Sequence, residues 1–234
     1  MKYETNPPLF LRTFSNPLSC IQYPLGEYSA LCFAGAFSFE DGVRLTKARG
    51  EAMQAASDAA ESGMVSVVGL SSDKVTELCE AIVKQTGKPI AIANYLVDGN
   101  YAISGAKESC EIAGEVGKTF GARMTMKLAV AGAFHTAFMQ PAVPRLTEVL
   151  ASVNIQTPRI PVVSNVDGKA HSDPQEIRDI LAKQVTYPVQ WETIMTNLLK
   201  SPEFVKAYEV GPGTVCKGIV KRFNKKLEVI SVTA

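Results

Sequence analysis

Between residues 62 and 130 the hydrophobic pattern changes period repeatedly, and the order of those changes narrows the possible folds more than any other feature of the chain. Residues 64 to 70 form a short valine-rich run that reads as a strand. Ser72 or Asp73 then caps a helix with Val75, Leu78, Ile82 and Val83 on one face, and Gly87 ends it. Residues 89 to 96 read as a strand, Asp98-Gly99-Asn100 as a turn, and residues 101 to 104 as the returning strand. A helix over residues 107 to 120 and a strand over residues 123 to 130 follow. The order β-α-β-β-α-β is that of a split βαβ, or ferredoxin-like, unit.

On either side of this unit the pattern is different. Helices are predicted over residues 25 to 34 and 40 to 56, the second with Ser38 as N-cap and Asp41 three residues later. Residues 131 to 135 form a loop of small residues feeding a helix, and residues 160 to 166 read as a strand. Asp173-Pro174-Gln175-Glu176 is a helix start with an Asp cap, Pro at the first position and Glu at the third, and that helix runs to about residue 185. Then come a helix over residues 191 to 199, a strand over 204 to 210, the break Gly211-Pro212-Gly213, a helix to about 223 and a strand over 227 to 232. Strands alternating with helices imply a mainly parallel sheet. The expected organisation is therefore one α/β domain, residues 25–61 and 131–234, interrupted by an inserted subdomain, residues 62–130. Residues 1–24 form an atypical segment holding Pro7, Pro8 and Pro17 with no clean period.

Charge excludes several functions. The chain has 24 basic and 23 acidic side chains with no basic stripe, so nucleic acid is not an expected partner. No apolar run approaches the ~20 residues that span a bilayer, so no membrane association is expected. Five scattered cysteines and two histidines, without a CxxC pair, argue against a metal site or a disulfide framework.

Few residues remain that could carry chemistry. Arg49 lies on an apolar helix face between Leu45 and Met53. A guanidinium there either captures a substrate carboxylate or snorkels or pairs with an internal Asp or Glu. His135, at a loop-to-helix junction among small residues, is either a general base or a satisfied histidine. His171, between Ala170 and Ser172 in a polar turn, is read as solvated. Gln190 could orient a histidine or cap the next helix. Asn94 and Asn165 could bond a ligand or stabilise a turn, and Gly211-Pro212-Gly213 reads as a strand-to-helix turn. Gln22-Tyr23-Pro24-Leu25-Gly26 occupies the register of a Gly-x-Ser-x-Gly nucleophile elbow, but only the last glycine is present. Pro24 has no hydroxyl to attack with.

In order, the stretches LGEYSALCFAGAFSFEDGVRLTKARGEAM, IANYLVDGNYAISGA, VAGAFHTAFMQPAV, RIPVVSNVDG, YPVQWE and YEVGPG resemble the malonyl-CoA:acyl-carrier-protein transacylases of fatty-acid synthesis from residue 25 to the C-terminus. The pieces FAGAFSFEDG, RGEAMQAA and VAGAFHTAFM look most like the plant plastid branch. The resemblance implies an α/β-hydrolase-like acyltransferase domain with an inserted ferredoxin-like subdomain, and ping-pong acyl transfer through a serine. It implies malonyl-CoA as substrate, no cofactor, acyl carrier protein as partner, and a monomer in the plastid stroma, with the mitochondrion as alternative. Carried over by position, Arg49 would clamp the malonyl carboxylate and His135 would be the base. Gln190, grouped with Arg49 on the substrate side, would help hold that histidine. The N–H of Leu25 would be half of the oxyanion hole. The serine position is Pro24 and the histidine before it is Tyr23. The family's Gly-Gln-Gly-Ser segment is absent, so the chain is expected to be N-terminally truncated, its sheet incomplete and its turnover lost. Ser19, Cys20 and Ser29 are the nearest substitutes. Ser29 lies more than one turn into the helix, and Cys20 precedes the turn.

Overall fold

Alternating valines place β1 (Ser62–Val68) at the centre of a four-stranded antiparallel sheet, with Val65 and Val67 on one face and Met64 on the other. β1 pairs with β3 (Asn100–Ala106) on one side and with β4 (Met124–Lys127) on the other, and β2 (Ile90–Val97) adds outside β3. The order β2-β3-β1-β4 is that of the ferredoxin-like unit. β2 and β3 form a hairpin at Asp98-Gly99, where Gly99 takes a positive φ of 73°. The helices α3 (Ser72–Thr86) and α4 (Lys107–Val116) cover the face carrying Val65, Val67, Tyr101 and Ile103, burying Val75, Leu78 and Ile82 against it. α4 stops four residues short of the expected end because the chain turns back toward β4, with Ala122 N–H donating to Gly117 O at 3.0 Å. The opposite face is small and apolar, with Met64, Ala93 and Ala102, and Phe134 packs against it.

The structure is a computed structural model and describes residues 24–202, 204–211 and 214–232. Residues 1–23 of the atypical segment, with Tyr23, Ser19 and Cys20, lie outside the described residues, as do Pro212 and Gly213.

α1 (Pro24–Phe33) and α2 (Phe39–Asp58) share a core with a 3-10 helix (Ala137–Ala142), α5 (Val143–Ala151) and α6 (Pro174–Lys183). Two of the three caps read from the sequence are made, while α3 is capped by Ser71, one residue before the expected Ser72 or Asp73, its hydroxyl accepting from Lys74 N–H at 3.4 Å. The Ser38 hydroxyl accepts from Asp41 N–H at 3.1 Å, and Asp173 Oδ1 from Glu176 N–H at 2.8 Å. A third cluster gathers Trp191 and Met195 of α7 (Trp191–Leu199) with Val220 of α8 (Val215–Phe223) and Val229 of β6 (Glu228–Val232). β6 pairs in parallel with β5 (Lys206–Val210). One further parallel bridge joins the two regions: Tyr95 N–H donates to Val189 O at 2.9 Å, and Val189 N–H to Ala93 O at 2.8 Å. Among the described residues no helix is long and apolar enough to cross a membrane.

Two sequence expectations need correction. Residues 160–166 form no strand. The chain turns back directly after Asn165, with Gly168 N–H donating to Ser164 O at 2.9 Å and Val163 bridging to Ala170. His171 is not solvated: its side chain is 10% exposed, with Nε2 3.0 Å from Asp167 and Nδ1 2.9 Å from Glu176. The polar turn supplies two carboxylates that enclose the ring, which the sequence read only as polarity.

Candidate active site

Position 24 opens α1, the residue type in it being one that suits a first helical position. Leu25 follows in the first turn, where helix N–H groups lack an intrahelical acceptor and the helix dipole is positive. The Leu25 N–H is therefore one of the helix-terminal donors of α1. Ser29 is exposed on the outer side of the same helix.

Arg49 lies on the buried face of α2 with Leu45, Ala52 and Met53, and is 8% exposed. Its Cζ sits 5.9 Å from the centre of the Tyr28 ring. Nε has no hydrogen-bond partner among the described residues, and no described carboxylate comes within salt-bridge distance. Burial pulls the guanidinium below its ordinary range, while Tyr28 and Glu27 act in the opposite direction. Among the described residues the guanidinium is thus buried against Tyr28 and meets no carboxylate.

His135 is held in the left-handed region, with φ 61°. Its N–H donates to Val185 O, and its ring nitrogen Nδ1 lies 3.0 Å from the carbonyl oxygen of Gln184. Burial, above all, pushes its pKa down to about 4; the Gln184 carbonyl raises it and the charge of Arg49 lowers it further. The imidazole is therefore neutral at neutral pH. A carbonyl can only accept, so the Gln184 contact places a proton on Nδ1 and leaves Nε2 its lone pair in the neutral ring; the backbone of Tyr187 also hydrogen-bonds the ring. That is the tautomer a general base needs.

The residue that holds His135 is Gln184, not Gln190. Gln190 caps α7 without a side-chain cap bond, its N–H donating to Asn165 O at 2.8 Å and its Oε1 accepting from Thr193 at 3.4 Å. Gln184 ends α6 and is 1% exposed. Its sequence signal was its spacing: Ile177, Leu181 and Gln184 recur on one helical face, so the amide is carried inward. Glu27 was missed for the same reason, lying on the α1 face of Leu31 and Ala34. It is 3% exposed. Its Oε2 accepts from Asn165 N–H at 3.0 Å, Asn165 Nδ2 at 2.8 Å and Gln184 Nε2 at 2.8 Å. Asn94, 5% exposed, lies beside the Val189 bridge in β2. No group of three or more His, Cys, Asp or Glu suited to a metal occurs among the described residues.

A buried guanidinium at Arg49 thus lies within electrostatic range of the buried imidazole of His135. No protein-family model matches the chain. It is 39% identical over 220 residues to the mouse protein named malonyl-CoA-acyl carrier protein transacylase, mitochondrial, covering 90% of this chain and 58% of that one. An acyl carrier protein S-malonyltransferase from Vibrio cholerae superposes with a TM-score of 0.88 at 33% identity, over 95% of this chain and 72% of that one. A malonyl-transacylase solved in complex with its type II PKS acyl-carrier protein gives a TM-score of 0.88 at 32% identity, over 95% of this chain and 71% of that one. The chain thus spans 58% of the curated relative's length.

Proposed function

Because this chain belongs to the malonyl-CoA:acyl-carrier-protein transacylase family, an acyltransferase family, we propose that its site receives a malonyl group from malonyl-CoA. The observation that carries the reading is the buried Arg49, which pairs with no carboxylate among the described residues and lies within electrostatic range of the neutral His135. A malonyl carboxylate supplies the anion that the guanidinium lacks, and an acetyl group does not. The thioester carbonyl then lies toward the start of α1, where the Leu25 N–H offers an oxyanion donor. His135 Nε2 is the base for a nucleophile at position 24 and for the incoming phosphopantetheine thiol of an acyl carrier protein.

Proline at position 24 cannot carry the acyl group. The chain as written therefore binds the donor without forming the acyl-enzyme, and its role is that of a module for coenzyme A thioesters or acyl carrier protein. The hydrophobic clusters support the division into residues 25–61 with 131–234 and residues 62–130, since one cluster draws only on residues 65 to 122. The mouse relative's name supports a mitochondrial location over the plastid stroma. No cofactor enters this chemistry.

Incubation with malonyl-CoA, followed by intact-mass analysis and equilibrium dialysis, tests the proposal. Binding without a covalent adduct is expected. Pro24→Ser should add one malonyl group that is discharged by holo acyl carrier protein. A malonyl adduct on the unaltered chain would overturn the assignment of position 24, and failure to bind either malonyl-CoA or carrier protein would overturn the whole reading.

A further inference from the structure

Glu27 has no place in the acyl-transfer steps, yet it is among the most buried polar groups of the chain. A buried carboxylate is costly unless its oxygens are met by donors. Here a single oxygen, Oε2, takes three: the N–H and Nδ2 of Asn165 and Nε2 of Gln184. These donors come from two different segments of the chain. Asn165 lies in the turn before α6, and its carbonyl accepts from Gln190 N–H at the start of α7. Gln184 closes α6, and its carbonyl faces His135 Nδ1 at 3.0 Å.

Glu27 itself stands three residues, one helical turn, after position 24. A covalent and hydrogen-bonded path therefore runs from position 24 through the first turn of α1 to Glu27. From there it passes to the side chain of Gln184, through that residue's backbone carbonyl, and into the ring of His135. No other contact of Gln184's side chain competes with this one, since its Oε1 has no partner among the described residues.

We infer that Glu27 is the positioning residue of this site: by fixing Gln184 it locks His135 in its Nδ1–H tautomer and sets the base in register with the N-terminus of α1. The inference rests on the reading of His135 as the base. It concerns the free protein, however, so its test needs neither substrate nor a nucleophile. The register is held by hydrogen bonds to one acceptor oxygen, so an amide oxygen in the same place does the same work. Removing the acceptor takes away the bond that holds Gln184 Nε2 and frees its amide.

The test is nitrogen-15 NMR of the two imidazoles, with His171→Asn removing the second signal. In the native chain His135 should show a single neutral tautomer, protonated at Nδ1, across neutral pH. Glu27→Gln should keep it. Glu27→Met should show both neutral tautomers, with loss of the single Nδ1–H signal. If Glu27→Met does not fold, Gln184→Met removes only the side-chain donor, keeps the carbonyl, and should scramble the tautomers in the same way. A folded Glu27→Met or Gln184→Met protein that retains the single Nδ1–H tautomer overturns the inference, and so does a Glu27→Gln protein as scrambled as the methionine variant. Failure of malonyl-CoA to bind would instead strike the functional proposal and leave this result standing.

Discussion

The carbonyl oxygen of Gln184 lies 3.0 Å from His135 Nδ1, on a ring buried to 7% exposure. The pair has a consequence for stability as well as for chemistry. The folded pKa of His135, pushed down to about 4, lies below the ordinary 6.5. Between these values the unfolded chain binds more protons than the folded one, so stability falls as the pH falls through that window. His135→Asn removes the titration, and asparagine tolerates the left-handed backbone. Urea unfolding at about pH 7 and about pH 5 should show the native chain losing about 2 kcal/mol more than the variant. Equal losses would mean that the ring is not held neutral.

His171 should act in the opposite direction. Burial lowers its pKa, but the hydrogen bonds to Asp167 and Glu176 and the charges of both outweigh it, so the net shift is upward. A raised histidine contributes stability that is fully present below the unfolded value of 6.5 and is lost as the pH rises through the folded value. Relative to the native chain, His171→Asn should be less stable on the acid side of neutrality by up to about 1 kcal/mol, since the pair is partly exposed. The deficit should shrink toward alkaline pH. A deficit that grows with pH would contradict the ion-pair geometry.

The βαββαβ order was legible because each change of period coincides with a cap or a turn: Gly87 after α3, Asp98-Gly99 between β2 and β3. Arg49 was legible because a cation at helical spacing among Leu45 and Met53 violates the pattern. Glu27 and Gln184 violate it in the same way, but each lies within a turn of a helix end, where polar residues are ordinary, and so neither stood out. Which carbonyl reaches His135 depends on how α6 docks against the loop at residue 135. That contact spans 49 residues of sequence and leaves no local trace. The strand expected over residues 160–166 failed for a related reason. The apolar run Ile160-Pro161-Val162-Val163 has strand composition, but Gly168 N–H donates to Ser164 O and Ser164 N–H to Lys169 O, closing a turn after it in place of a ladder.

Arg49→Met should separate binding from folding. Methionine keeps the packing against Leu45 and Met53 and removes a desolvated charge that lacks a salt bridge, so the thermal midpoint should hold or rise. Affinity for malonyl-CoA should drop by at least about tenfold, toward that for acetyl-CoA, which should be little changed. Calorimetric titration with both thioesters measures this. A parallel loss for the two would mean that Arg49 does not meet the acyl carboxylate.

Gly132 lies three residues before His135 and presses directly on α2. A Cβ built there would lie 2.8 Å from Ser57 Cβ and closer still to Ser57 Oγ, which donates to Met53 O. On the other side of the loop, Ala133 N–H donates to Ser62 Oγ at 3.0 Å. The segment carrying His135 is thus held between α2 and β1 and has little room to yield. Gly132→Ala should cost about 1–3 kcal/mol, the range for overpacking a tight contact. Ser57→Gly removes both nearest atoms at a helix-propensity cost of about 1 kcal/mol. If the clash is the cause, the two changes together should cost less than the sum of the two alone in urea unfolding, and the double variant should recover the single His135 tautomer. Strict additivity would place the origin of the Gly132 effect in the unfolded chain rather than in this contact.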